Sequence, residues 1–180
     1  MKKPISEELE IPSGIECSYI EEFFICRNNS DELKRHIKIP YVSISVKDNK
    51  VTFSAIKTNK KERKSISSQI KHIKNMFLGL EKKFVYKLES CNVHFPMTLK
   101  IEGNKLAVNN FLGEKIPRYA YILPNVEVQI KGSLITILST DKEAAGQTAA
   151  NFERATKVTN RDRRIFQDGI YITDKPGDKK

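Results

Sequence analysis

The chain has 180 residues, with 32 Lys and Arg against 22 Asp and Glu, a net charge of +10 and a pI near 9.5. A hydrophobic content of 39% is too high for a wholly disordered chain and, at this length, enough for one moderate core or two small ones. No apolar run approaches the ~20 residues of a membrane span, and Lys2 and Lys3 precede no apolar stretch, so no membrane anchor or secretory leader is predicted.

The first segment is acidic. Residues 1–32 hold three basic groups, Lys2, Lys3 and Arg27, against eight acidic ones, so the rest of the chain carries +15. A basic body behind an acidic leader points to a polyanionic partner, nucleic acid first and an anionic membrane surface second. Next, Val42, Ile44 and Val46 alternate with Ser43 and Ser45, Asp48-Asn49-Lys50 signals a turn, and Val51, Phe53 and Ala55 resume the alternation. That is a β-hairpin. Ile66, Ile70, Ile73 and Phe77 then follow a helical period closed by Gly79, with Lys60, Lys64 and Lys71 on the opposite face. A domain boundary is expected after this helix, which gives domains 1–81 and 82–180.

The second domain is predicted to open on Val93 and Phe95, then Leu99 and Ile101, a turn at Gly103-Asn104, and Leu106 and Val108. Sliding the chain by 84 positions superimposes Val42, Ile44 and Val46 on Val126, Val128 and Ile130, and Val51 and Phe53 on Ile135 and Ile137. A second helix follows, with Ala145, Ala149 and Phe152 on one side and Glu143, Gln147, Asn151 and Arg154 on the other. Gly146 costs it about 1 kcal/mol of propensity, so packing must sustain it. The repeat predicts an α+β fold of two similar, duplicated domains, each an antiparallel sheet with a helix packed on one face. The tail from Thr173 is polar, carries Pro and Gly, and is expected to be loose.

No catalytic constellation is apparent. Cys17, Cys26 and Cys91 form no Cys-x-x-Cys pair, and His36, His72 and His94 do not cluster with them. Neither metal nor cofactor is expected, and the thiols read as free in a reducing compartment. Glu7-Glu8 and Glu21-Glu22 read as solvated charge, and no phosphate-binding glycine loop occurs. The chain is not expected to be an enzyme or to take a small-molecule substrate. His94, between apolar neighbours, reads as a packed or RNA-contacting histidine.

Four stretches read as surfaces for a polyanion. The first is Lys71 to Asn75, including Lys74. The second is Asn109 to Lys115, followed by Arg118, where Gly113 permits a positive φ and a close approach of backbone amides to phosphate. The third runs from Lys157 through Arg161, Arg163 and Arg164, whose planar forks match phosphate oxygens. The fourth, Phe166-Gln167-Asp168-Gly169, suggests a tight turn presenting that basic arm. There is no Trp, and Tyr19, Tyr119, Tyr121 and Tyr171 are scattered. Base-stacking platforms are therefore thin, and phosphate and sugar contacts to folded nucleic acid are favoured.

Five strings in order carry a resemblance: His72-Ile73-Lys74-Asn75-Met76 with Gly79, His94-Phe95-Pro96, Asn110 to Lys115, Gly146 to Asn151, and Asp162 to Ile170. Together they resemble large-subunit ribosomal protein six in its archaeal and eukaryotic form, called protein nine in eukaryotic ribosomes. One departure is Arg27 to Glu32, which lacks the Gly and Pro of the family's usual first-domain turn.

The resemblance implies a structural protein of the cytoplasmic large ribosomal subunit, with ribosomal RNA and neighbouring ribosomal proteins as partners and no membrane. It implies that domain 82–180 is the main RNA-binding part, near the stalk base where GTPase translation factors dock, and that domain 1–81 is exposed and protein-facing. The residues carried over are Asn110, Gly113, Lys115 and Arg118 in one loop. Lys157, Arg161, Arg163, Arg164, Gln167, Asp168 and Gly169 make up the arm, part of which is expected to order only on RNA. His94, Lys71, Lys74 and Asn75 complete the set. The alternatives are a protein-interaction module or a non-ribosomal RNA-binding protein.

Overall fold

The structure is a computed structural model that describes residues 3–28, 31–47 and 49–177. Lys2, Asp48 of the predicted turn, Asn29 and Ser30 of the departing stretch, and the last three residues of the tail lie outside that range. The chain divides into two compact units, Met1–Lys82 and Lys83–Lys180.

Unit 1 contains β1 (Lys3–Glu10), β2 (Glu16–Ile20), β3 (Phe23–Arg27), β4 (Glu32–His36), β5 (Ser43–Lys47), β6 (Lys50–Thr58) and α1 (Lys60–Glu81). One antiparallel sheet has the order β1-β6-β5 and a second has β2-β3-β4. The acidic leader is thus mostly strand. Glu8 and Glu10 point outward in alternation with Ile5 and Leu9, which turn into the core, while the half-buried Glu7 shares their face opposite Phe53. The backbone N–H of Asn59 donates to the Glu62 carboxylate at the start of α1. The helix runs two residues beyond Gly79, which is buried rather than terminal. Ile66, Ile73, Met76, Phe77 and Leu80 bury its apolar face against Phe24, Ile37, Val51 and Phe53.

Unit 2 contains β7 (Phe84–Cys91), β8 (Thr98–Glu102), β9 (Lys105–Asn109), β10 (Arg118–Tyr121), β11 (Glu127–Lys131), β12 (Leu134–Ser139), α2 (Lys142–Ala155) and β13 (Gly169–Asp174). Its sheets have the orders β11-β12-β7-β13 and β10-β9-β8. The element order of unit 1 recurs, and so does its pairing: Ile44 faces Phe53 in the first unit and Val128 faces Ile137 in the second. Each unit therefore carries a second antiparallel sheet beside the expected one. Asp141 caps α2 by accepting from the Glu143 amide at 2.9 Å. Ala145, Ala149 and Phe152 are fully buried with Leu88, Ile135 and Ile137.

Two expectations are corrected. Val93 and Phe95 belong to an irregular loop, because a buried carboxylate takes the amides that a strand ladder would use. The strand in that region is β7, whose Tyr86, Leu88 and Ser90 are buried while Lys87 and Glu89 are exposed. Thr173 and Asp174 are not loose: both lie in β13, and the Thr173 hydroxyl donates to the Lys87 carbonyl at 3.1 Å.

Candidate nucleic-acid interface

Unit 2 gathers most of the candidate residues into loops 110–117 and 156–168, with the β7–β8 connection, 92–97, between them. The first loop is tightly wound. Asn110, Leu112 and Gly113 have φ of 58°, 49° and 80°. A β-carbon at Gly113 would meet the Phe95 ring at an ordinary 3.6 Å, so φ rather than space selects glycine there. The Gly113 and Glu114 amides donate to the carbonyls of Asn110 and Phe111 at 3.4 and 3.0 Å. These two amides are used within the turn. The Asn110 side-chain amide donates to the Pro96 carbonyl at 2.9 Å and ties the loop to 92–97.

Arg118 closes the bracket. Nε and Nη2 donate to both Glu114 carboxylate oxygens at 2.7 and 2.5 Å, and Nη1 donates to the Ala155 and Lys157 carbonyls at 3.0 and 3.3 Å. Its guanidinium carbon lies 4.3 Å from the Phe111 ring centre. The Arg118 hydrogen bonds hold the Glu114 carboxyl below the usual carboxylate range, with a smaller pull from Arg161. Arg118 therefore joins the two loops and neutralises carbonyls at the end of α2.

The second loop is fastened at its base. The Thr156 hydroxyl donates to the Phe152 carbonyl at 3.3 Å and accepts from the Ile170 amide at 2.8 Å. The tight turn lies at Arg163–Ile165, not at Asp168-Gly169. Asp162 caps it: its carboxylate accepts from the Arg164 amide at 2.9 Å and from Arg164 Nη2 at 2.8 Å, and its carbonyl accepts from the Ile165 and Phe166 amides. Arg164 nonetheless leaves 91% of its side chain exposed. Gln167 donates to the Arg164 carbonyl at 3.0 Å, and its own carbonyl accepts from the Tyr171 hydroxyl at 3.1 Å.

Asp168 is buried, with 3% of its side chain exposed. Oδ1 accepts from the Val93 and His94 amides at 2.8 and 2.9 Å, and Oδ2 lies 2.6 Å from His94 Nδ1. Burial pushes this carboxyl upward, but the His94 amide, the His94 ring and the Val93 amide together outweigh it and hold the pKa at about 2. Gly169 is buried too, and a β-carbon there would sit 3.3 Å from the Thr156 carbonyl. Asp168 and Gly169 build the loop from inside. His94 stacks on Phe166 at 5.0 Å, and the Arg161 guanidinium lies 4.7 Å from the same ring.

The structure thus brings His94, Asn110, Gly113, Arg118, Arg161, Gln167 and Asp168 into one connected ensemble. Among the described residues, the exposed side chains of Lys115, Lys157 and Arg163 make no hydrogen bond or ion pair. Lys71, Lys74 and Asn75 lie on α1 of unit 1, with both lysines exposed, and the ensemble of unit 2 is built without them. Sequence reasoning missed Glu114 and Phe166 as organisers. It also missed that two of the scattered tyrosines converge. Tyr119 and Tyr121 share a face of β10, and Lys105 Nζ lies 5.9 and 5.0 Å from their ring centres. The i, i+2 spacing of the two tyrosines was the available signal.

The site is a frame of buried carboxylate, bracket arginine and capped turn with cations on its outside. Residues 95–169 match the family model described as Ribosomal protein L6. The chain is 39% identical to large ribosomal subunit protein uL6 of Methanococcus vannielii over 173 residues, 96% of this chain and 95% of that protein. It is 38% identical to large ribosomal subunit protein uL6 of Methanosarcina mazei over 175 residues, 97% of this chain and 99% of that one. The chain belongs to the ribosomal protein L6 family. It is accordingly a structural ribosomal protein of the archaeal and eukaryotic type and not an enzyme.

Proposed function

We propose that the chain is a constituent of the cytoplasmic large ribosomal subunit that binds ribosomal RNA through unit 2. The observation that carries this reading is the Arg118 bracket, which joins two loops while Lys115, Lys157 and Arg163 stay free for phosphate among the described residues. Arg161 and Arg164 add partly engaged cations, and His94, Asn110 and Gln167 supply polar groups at the same loops. Binding proceeds by counterion release, so affinity falls steeply with salt. Lys71, Lys74 and Asn75 form a separate, weaker contact on α1. Resemblance supports a location near the stalk base where GTPase factors dock, with ribosomal proteins as neighbours.

A second reading concerns unit 1. Its sheet ends on β1, an edge strand bearing Glu7, Glu8 and Glu10, which suits a basic protein neighbour. The two readings divide the labour between units.

The test replaces Lys115, Arg161 and Arg163 together by alanine and follows incorporation into large subunits by sedimentation. Reduced incorporation and a shallower salt dependence of RNA binding are expected. Wild-type incorporation with an unchanged slope would falsify the assignment to these loops.

A further inference from the structure

Two of the three cysteines meet. Cys17 on β2 and Cys26 on β3 are direct cross-strand partners, and their Sγ atoms stand 3.1 Å apart as a hydrogen-bonded thiol pair. Opposed residues in an antiparallel ladder have Cα atoms about 4.5–5.5 Å apart, inside the ~4.4–6.8 Å that a disulfide spans. Bonding therefore requires the sulfurs to close by about 1 Å, without movement of the strands. The two thiols differ in access. Cys26 is fully buried beneath the sheet, whereas Cys17 is partly exposed. Cys91, in unit 2, has no thiol partner and is also partly exposed.

We propose that Cys17 and Cys26 form an oxidation site, a dithiol that a small disulfide oxidant of the glutathione type converts to a disulfide across the β2–β3 hairpin. The Cys17 thiolate attacks one sulfur of the oxidant, breaks its S–S bond and releases the first small thiol. The Cys26 sulfur then attacks Cys17 Sγ, breaks the mixed disulfide and releases the second. Two protein thiols are oxidised, one small disulfide is reduced to two thiols, and the two protons lost by the protein end on those thiols. The order follows from the pair itself. Cys17 is the more accessible of the two, and when Cys26 donates the shared S–H the bond favours the Cys17 thiolate and lowers its pKa against the effect of burial. The Cys26 thiol is raised, first by the same hydrogen bond and then by burial, so it acts second.

The test uses the full-length protein. It is incubated with oxidised glutathione in native buffer, remaining thiols are alkylated, and the product is cleaved at glutamates without reduction. Glu21 and Glu22 lie between the two cysteines, so cleavage there places Cys17 and Cys26 on separate fragments. The expected result is a pair of fragments joined through these two cysteines, with Cys91 alkylated or carrying one glutathione. Cys17→Ser is expected to slow oxidation of Cys26 at least tenfold. Recovery of Cys17 and Cys26 on unlinked fragments while Cys91 reacts overturns the proposal, as does native-state pairing of either with Cys91. The wild-type map decides the question whether or not the variant folds.

Discussion

A β-carbon placed on Gly146 of α2 would fall 2.9 Å from the hydroxyl oxygen of Tyr86 on β7. The end of the Tyr86 side chain lies so close to the helix at this point that a methyl group fits only if the tyrosine shifts. Gly146→Ala is therefore expected to destabilise unit 2, despite a propensity gain of about 1 kcal/mol in the helix. Removing the hydroxyl relieves the clash. In a Tyr86→Phe background, where the nearest ring atom stands at 3.4 Å, Gly146→Ala should be neutral or stabilising. Urea unfolding of the four proteins gives the coupling energy, and purely additive effects would contradict the close approach.

Asp168 predicts an acid limb of stability. Its carboxyl ionises at about 2 in the folded chain against a reference of 3.8, so the folded state favours the ionised form. The stabilisation is fully present above pH 3.8 and lost as pH falls through about 2. It amounts to about 2 kcal/mol, given a side chain only 3% exposed. Asp168→Asn should lower stability at neutral pH and flatten the pH dependence of urea unfolding between pH 4 and 2. An unchanged acid limb in the variant would place its origin elsewhere.

Arg118 and Arg163 separate support from contact. Arg118→Ala should cost about 1 kcal/mol or more, because it leaves the part-buried Ala155 carbonyl without its donor and unties the two loops. Lysine should not restore it, since an ammonium cannot span the Glu114 fork. Arg163→Ala should leave stability within about 0.5 kcal/mol while reducing the salt slope of RNA binding by about one. Thermal denaturation and salt titration of both variants check this, and reversed behaviour would exchange their roles.

Thr156→Val keeps volume but removes the oxygen that receives the Ile170 amide. That amide is buried, and stranding it should cost about 1–3 kcal/mol. Hydrogen exchange at Ile170 should accelerate more than at Ile137, in the middle of the same sheet. Equal acceleration at both amides would mean the bond has no local role.

Much of the fold was legible in the residues. Alternation at Val42–Val46 and Val126–Ile130, with the helical spacing after each, yielded both hairpins and both helices, because burial on one face imposes a period that composition cannot hide. Strands β1 to β4 were obscured by charge: Glu8, Glu10, Glu16, Glu32 and Lys34 occupy exposed positions, Glu7 interrupts the apolar face between Ile5 and Leu9, and that face is visible only when residues are read in twos. The positive charge of loop 157–164 was plain. The role of Asp168 was not, because its carboxylate is satisfied by amides 74 and 75 positions away. A short motif carries no information about such a partner. Asp-Gly resembles a turn, and only the fold turns the pair inward.

The hydrogen bond between Thr156 and Ile170 shuts the basic arm into a noose whose two ends are anchored in a helix and in a sheet. Part of the arm was expected to order only on RNA; the Asp162 turn and the Thr156–Ile170 bond constrain its backbone in the chain alone. On the proposed reading the backbone of the loop is set before RNA arrives, and only the exposed side chains of Arg163 and Arg164 remain to be placed on phosphate.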